Sequence, residues 1–284
     1  MSKKQIHSTG LQTAPLRILV FGAHPDDCDI TAGGVAALYA QRGDCVKFVS
    51  VTNGDAGHHE MGGGPLAQRR YTEAQAAAEV IGIEYELLDN HDGELMPTLE
   101  NRYQIIRTIR EFRPDVVMTH RPNDYHPDHR YTSILVQDAA YMVTVPNVCA
   151  LTPHLEKNPV IVYLRDRFLK PYPFTPDVAV GIDAVVEQKI DMLHCHVSQF
   201  YEWLPYNGGT LDVVPTGASA RRAWLAERMR NRFQEVAEKH RDLLITLYGE
   251  KVGGQIKYAE VFEGSEYGSA LTPENIPTFF PFFE

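Results

Sequence analysis

Two short segments concentrate imidazole and carboxylate. One is Ala23-His24-Pro25-Asp26-Asp27; the other is His120-Arg-Pro-Asn-Asp-Tyr-His126-Pro127-Asp128-His129. These donors suit zinc or another borderline divalent ion. His24 and Asp27 are three residues apart, as are His126 and His129, so each pair falls on one side of a tight turn or a first helical turn. A catalytic zinc uses three protein ligands and keeps one position open for water. His24, Asp27 and His129 can fill that role, leaving Asp26 and His126 unligated beside the ion. Either segment alone also reads as a turn, because Pro and Asp are both turn formers. Two such segments at one place read as a metal site.

The elements around them must bring the two segments together. Leu16 to Ala23 is a short apolar run that ends at the first segment and reads as a buried strand. Further strands are expected at Val46–Val51, Tyr85–Leu88 and Asp115–Thr119, with helices from about Gly34 to Arg42, Ala67 to Ile81 and Thr98 to Phe112. Strands alternating with helices of this length predict an α/β fold, Rossmann-like, with a mostly parallel sheet covered on both faces. In such sheets ligands bind beyond the carboxyl ends of the strands. His24, Asn53, His91 and His120 each follow a strand end, so their loops should converge on one edge. Beyond Pro146 the pattern is less regular. Strands at Val160–Tyr163 and Val178–Asp183 and a helix over Ala184–Gln199 are expected there. The chain reads as a short extension, residues 1–15, and one domain, residues 16–284, whose part from about residue 200 is less regular. The aromatic end, Pro277 to Glu284, should pack on the body or on a second subunit.

The 284 residues carry a formal charge of −10, which argues against nucleic acid or an anionic membrane as a bulk partner. No signal-peptide core and no apolar run of ~20 residues is present, and the four cysteines are scattered without a CxxC pair. A cytoplasmic protein with reduced thiols is expected.

The paired AHPDD and HPDH motifs resemble the LmbE-like, or PIG-L, family of zinc-dependent N-acetylglucosaminide deacetylases. The resemblance extends to Arg70-Tyr-Thr-Glu73, to Lys189 and to His196-Val-Ser-Gln199, and so covers most of residues 16 to 200. It implies a zinc hydrolase that removes an acetyl group from an amino-sugar conjugate. By the same resemblance His24, Asp27 and His129 hold zinc, and Asp26 is the general base for water on the ion. His126 polarises the carbonyl or protonates the leaving amine, Asp128 orients His126, and Arg70 contacts substrate. A helix-surface pairing of Arg70 with Glu73 is the competing reading. Cys28 and Asp29 stand where many members carry Glu, so Asp29 is a shorter stand-in carboxylate. Some members have Tyr two residues before the first His of HPDH; here Asp124 holds that position and Tyr125 follows it.

Three further features bear on a pocket. Gly54 to Pro65 holds five glycines in its twelve positions and suits either a mobile lid or a plain surface loop, with His58 and His59 exposed. Asp92 follows the third strand and can hydrogen-bond a sugar hydroxyl, with a plain turn as the competing reading. His196 is the better pocket candidate of the two histidines on its helix, with an ordinary partly buried histidine as the competing reading. A dinucleotide-binding site is rejected, because the first turn places carboxylates where pyrophosphate would sit. No HExxH exists for a metalloprotease. A non-catalytic metal- and carbohydrate-binding module stays open, although it has no use for an unligated Asp26.

Overall fold

A computed structural model describes residues 14–283, so nearly all of the expected extension lies outside the described residues. The elements are β1 (Arg17–Gly22), α1 (Asp27–Arg42), β2 (Cys45–Ser50), α2 (Gly63–Ile81), β3 (Glu84–Leu87), α3 (Leu99–Phe112), β4 (Val116–Thr119) and α4 (Pro127–Met142). There follow β5 (Val160–Leu164), β6 (Val178–Gly181), α5 (Val186–Cys195), α6 (Leu204–Asn207), α7 (Ala218–Lys239), α8 (Arg241–Gly253), β7 (Ala259–Gly268) and α9 (Ile276–Phe279). A π-helical turn, Ser198–Trp203, joins α5 to α6.

The strands form one sheet in the order β3-β2-β1-β4-β5-β7-β6. The first five run parallel, and β7 lies antiparallel to both β5 and β6. Side chains of a strand alternate between faces, and β1 uses both. Ile18 and Val20 pack with Val35, Tyr39 and Ala77 of α1 and α2. Leu19 and Phe21 pack with Ile106 and Ile109 of α3 and Val136 of α4. Burial on both faces is why β1 reads as an unbroken apolar run, at about 1.5–3 kcal/mol for each large side chain. The chain winds outward from β1 through β2 to β3, then returns to β4 on the other side of β1. The loops after β1 and β4 therefore part in opposite directions and leave a crevice between them.

Several boundaries differ from expectation. Helix α1 starts at Asp27, seven residues before Gly34, because Gly33-Gly34 lies inside it. An added Cβ at Gly34 would sit 2.8 Å from Ile182 Cγ2 and 3.0 Å from Glu260 Oε1, so glycine is what lets β7 approach. The Gly34 and Val35 amides donate to Glu260 at 2.8 and 2.7 Å, while Lys189 Nζ donates to the Ile30 carbonyl at 2.9 Å. A buried ion pair thus takes up groups that an uninterrupted helix bonds internally. Helix α4 went unread, although Pro127 is at its first turn, where proline is favoured. The stretch read as less regular holds the 22-residue α7 and the sheet strand β7. The aromatic end packs on the body: Phe280 is fully buried and the Phe282 ring lies 4.8 Å from Tyr39. It therefore gives no argument for assembly. No described helix is long and apolar enough to cross a membrane.

Candidate active site

The loop after β1 closes at once into α1. Asp26 and Asp27 amides donate to the His24 carbonyl at 2.8 and 3.2 Å, and the His24 amide donates to Asp27 Oδ2 at 2.8 Å. Gly22 permits this fold-back, since a Cβ there would stand 2.7 Å from that of Asp27. The loop after β4 ends at His126, the N-cap of α4, whose Nδ1 accepts the Asp128 amide at 3.2 Å. Neutral His126 therefore carries its proton on Nε2.

Three atoms from these loops meet in a nearly equilateral triangle. His24 Nδ1 lies 3.2 Å from His129 Nε2 and 3.4 Å from Asp27 Oδ2, and the third side is 3.5 Å. Ligands about 2.0–2.1 Å from a tetrahedral ion are separated by about 3.3–3.4 Å, so the spacing and the donor set fit zinc. Each imidazole has carboxylate on its far nitrogen, the usual means of fixing a ligand's tautomer. His24 Nε2 stands 3.1 Å from Asp92 Oδ1 and 3.3 Å from Asp128 Oδ2, and His129 Nδ1 stands 3.2 Å from Asp124 Oδ1, close but off the line of a hydrogen bond.

Asp128 was expected to orient His126. Its Oδ2 is 3.9 Å from His126 Nδ1 but closer to His24, and it also accepts the Gly93 amide at 2.7 Å. Its carboxylate thus serves His24, and only its amide serves His126. His196, the pocket candidate, is fully buried instead. Its Nε2 lies 3.1 Å from Asp29 Oδ2, close but off the line of a hydrogen bond. The π-helical turn that follows draws His196 beneath the cleft, an irregularity no helical spacing reveals. Asp29 likewise faces His196 rather than the triangle.

Asp26 does line the cleft, a cavity of about 400 Å3, with His24, His126, Arg70, Asp92 and Tyr125. Its Oδ1 lies 3.3 Å from an Arg70 nitrogen. Arg70 also donates to the Gly54 carbonyl at 3.3 Å and approaches Asp92 Oδ2 at 3.6 Å. Gly54 has φ of 73°, and a Cβ there would fall 2.7–2.9 Å from the Arg70 side chain. Glu73 does not pair with Arg70; it accepts from Arg69 and from Ser198. Burial raises the Asp26 carboxyl above the usual carboxylate range, against the pull of Arg70. Burial, with His24 and His129 nearby, lowers His126.

His120, which follows β4 at the same edge, links the loops. Its Nε2 accepts the Ala23 amide at 3.1 Å and lies 3.3 Å from Asp27 Oδ2, and its ring stacks on His129 at 4.1 Å. It ties the two loops together, and with that lone pair engaged it is a poorer metal donor than His24. Its position after β4 was the only sequence signal. In the glycine-rich loop the two histidines are held rather than exposed, although the loop's tip is open to solvent. His58 meets Glu202 at 2.8 Å, Arg69 holds the same carboxylate through two contacts of 2.7 Å, and His59 stacks on Tyr206 at 4.1 Å.

A mostly parallel α/β sheet with a His/Asp cluster at its carboxyl edge, able to hold a divalent ion beside a spare carboxylate, defines the class. Residues 19–140 match the family model PIG-L, GlcNAc-PI de-N-acetylase. Diacetylchitobiose deacetylase of Thermococcus kodakarensis is 33% identical over 207 residues, 67% of this chain and 74% of that protein. The 4-oxalmesaconate hydratase of Pseudomonas putida is 25% identical, over 75% of this chain and 84% of that protein. The structure of N,N'-diacetylchitobiose deacetylase from Pyrococcus horikoshii superposes with a TM-score of 0.66 at 23% identity, covering 87% of this chain and 83% of that one. The chain belongs to the PIG-L family.

Proposed function

We propose that the protein is a zinc-dependent amide hydrolase that removes an acetyl group from an N-acetylated amino sugar or related small conjugate. Its zinc ligands are His24, Asp27 and His129. The observation that carries this reading is the ligand triangle with Asp26, a carboxylate outside it, opening on the same cleft. When bound, zinc supplies a Lewis acid that polarises the acyl carbonyl and acidifies water. Asp26 takes the proton of the attacking water; one oxygen is held by Arg70 and the other is left for that task, and its raised pKa suits a base. His126 donates a hydrogen bond from Nε2 to the oxygen that gains charge on attack, and the proton that Asp26 took from water passes to the departing amine. Arg70 and Asp92 meet the polar groups of the sugar, while Asp128 holds His24. His196 has no part in substrate contact. The favoured partner is a small molecule rather than nucleic acid, in the cytoplasm.

The test is Asp26→Asn in zinc-loaded protein, with acetate release followed on a panel of N-acetylglucosamine conjugates. Loss of about 10²–10⁴-fold in kcat with zinc retained is expected. Undiminished turnover eliminates Asp26 as base. The hydratase relative favours one second reading, in which the same base adds water to a carbon–carbon double bond. Loss of the absorbance of an unsaturated acid, with no acetate released from any sugar, would select it.

A further inference from the structure

Beside the catalytic cleft lies a second chamber of about 280 Å3. Phe200, Leu204, Trp224 and Met229 form its apolar wall, and Arg228 and Arg232 its charged one. Ile30 and Leu204 line both this chamber and the cleft, so the two spaces adjoin across them. Arg232 also closes a narrow crevice on the far side, where it faces Arg165, Lys189 and Glu260.

The charges there do not balance. Glu260 is occupied by Lys189 and by two amides of α1. Arg165 and Arg232, with the exposed Arg167 beside them, form no ion pair or hydrogen bond among the described residues; the field of Glu235 reaches both without contact. Two other covered arginines, Arg110 and Arg121, are well supplied with partners. Arg110 donates to the carbonyls of Met142, Val143, Val145, Val148, Cys149 and Thr152, and Arg121 grips Asp166. Burial, with Arg167 and Arg165 next to it, lowers the Arg232 guanidinium to about 10. Like charges gathered away from bulk water are costly until an anion joins them, and guanidinium is well matched to carboxylate and phosphate.

We propose that this chamber is a substrate subsite for an anionic group, a carboxylate or phosphate, held by Arg232 with Arg228, while Arg165 adds its positive field from the adjoining crevice. The inference rests on the deacetylase reading for the place of the amide. A molecule with its acetamide at Asp26 crosses Ile30 and Leu204 and reaches Arg232 at its other end. The substrate class is then an N-acetylated amino sugar whose aglycone carries an acid beyond a short apolar span.

Two measurements test this separately. Zinc-loaded protein is titrated calorimetrically with inorganic phosphate and with malonate, in wild type and in Arg232→Gln. A binding component present in wild type, absent from the variant and weakened by sodium chloride is expected. Identical isotherms in the two proteins overturn the subsite. Next, kcat/KM is compared for methyl N-acetylglucosaminide and for an N-acetylglucosaminide with a carboxylate-ended aglycone. Wild type should favour the acidic substrate about tenfold, mainly through KM, as one charge-assisted contact allows. The ratio should fall toward one in Arg232→Gln and below one in Arg232→Glu; Arg165→Gln, which should lower it partway, replaces them if they do not fold. Equal handling of both substrates by wild type overturns the role in substrate recognition. If neither sugar is turned over, the deacetylase reading fails, and the anion titration still decides the subsite.

Discussion

The catalytic edge and the neighbouring chamber treat charge in opposite ways. At the edge each ion has a partner of the other sign: Asp26 faces Arg70, His24 faces Asp92 and Asp128, and His129 faces Asp124. At the wall between the chamber and its neighbouring crevice, Arg232 faces the charge of Arg165 without a contacting carboxylate on either, on a protein whose formal charge is −10. The first arrangement is assembled in advance and needs only a cation at its centre. The second is completed from outside. Orientation is thus divided: one end of a bound molecule is fixed by the edge, the other by the arginines.

The comparison breaks most visibly if the edge does not hold a metal. Asp27→Ala removes one corner of the triangle and leaves His24 and His129. Zinc content after gel filtration should drop by more than the ~10–100-fold in affinity that an outer partner's loss costs, with acetate release abolished. Zinc retained at full stoichiometry would mean that the triangle is not the site. A smaller effect is expected from Arg70→Lys. One ammonium cannot reach Asp26, Asp92 and the Gly54 carbonyl as the planar guanidinium does. A fall of about 10–100-fold in kcat/KM with unchanged zinc would separate positioning of the base from metal binding. Wild-type kinetics in that variant would leave Arg70 as scaffold alone.

The two regions also differ in how far the sequence discloses them. The edge is legible because its ligands come from two contiguous motifs placed directly after β1 and β4, and the alternation of elements puts those ends side by side. What lay behind the ligands was less legible. Asp128 serves His24 across 104 residues rather than His126 two positions away, and only the packing of α4 against β1 decides between them. His196 was misplaced because a π-helical turn follows it. Asp124 was noted as a departure from a tyrosine pattern, yet its carboxylate backs His129. The chamber was not legible at all. Arg165 follows β5, Arg232 is one of many charges on α7, and their approach depends on β7 entering the sheet between β5 and β6, a strand whose Gly264, Gly268 and glutamates at every third position resemble a loop. The basic run of α7 reads as a solvated face, and Arg230, paired with Glu187, fits that description.

The cationic character of the second region has a further consequence for stability, the smallest of the expected effects. His240, at the end of α7, is half-buried, and burial together with Lys239 and Arg165 pushes its pKa down to about 4. In the unfolded chain an imidazole titrates near 6.5. Between pH ~6.5 and ~4 the unfolded state therefore binds a proton that the folded state refuses, so stability falls as pH drops through that window and is unaffected above it. Partial exposure damps the effect below the ~1.4 kcal/mol per pH unit of a fully shifted group. Urea unfolding of wild type and His240→Gln at pH 7, 6 and 5 isolates it, because contributions from distant groups cancel in the difference. The depressed carboxyls of Asp92, Asp124 and Asp128 lose their contribution below this window, as pH falls under ~4. The variant should lose less stability on acidification than wild type, and saturating phosphate should narrow the gap by offsetting Arg165. Parallel curves without added anion would mean that Glu235 already neutralises the cluster, and the contrast between the two regions would vanish.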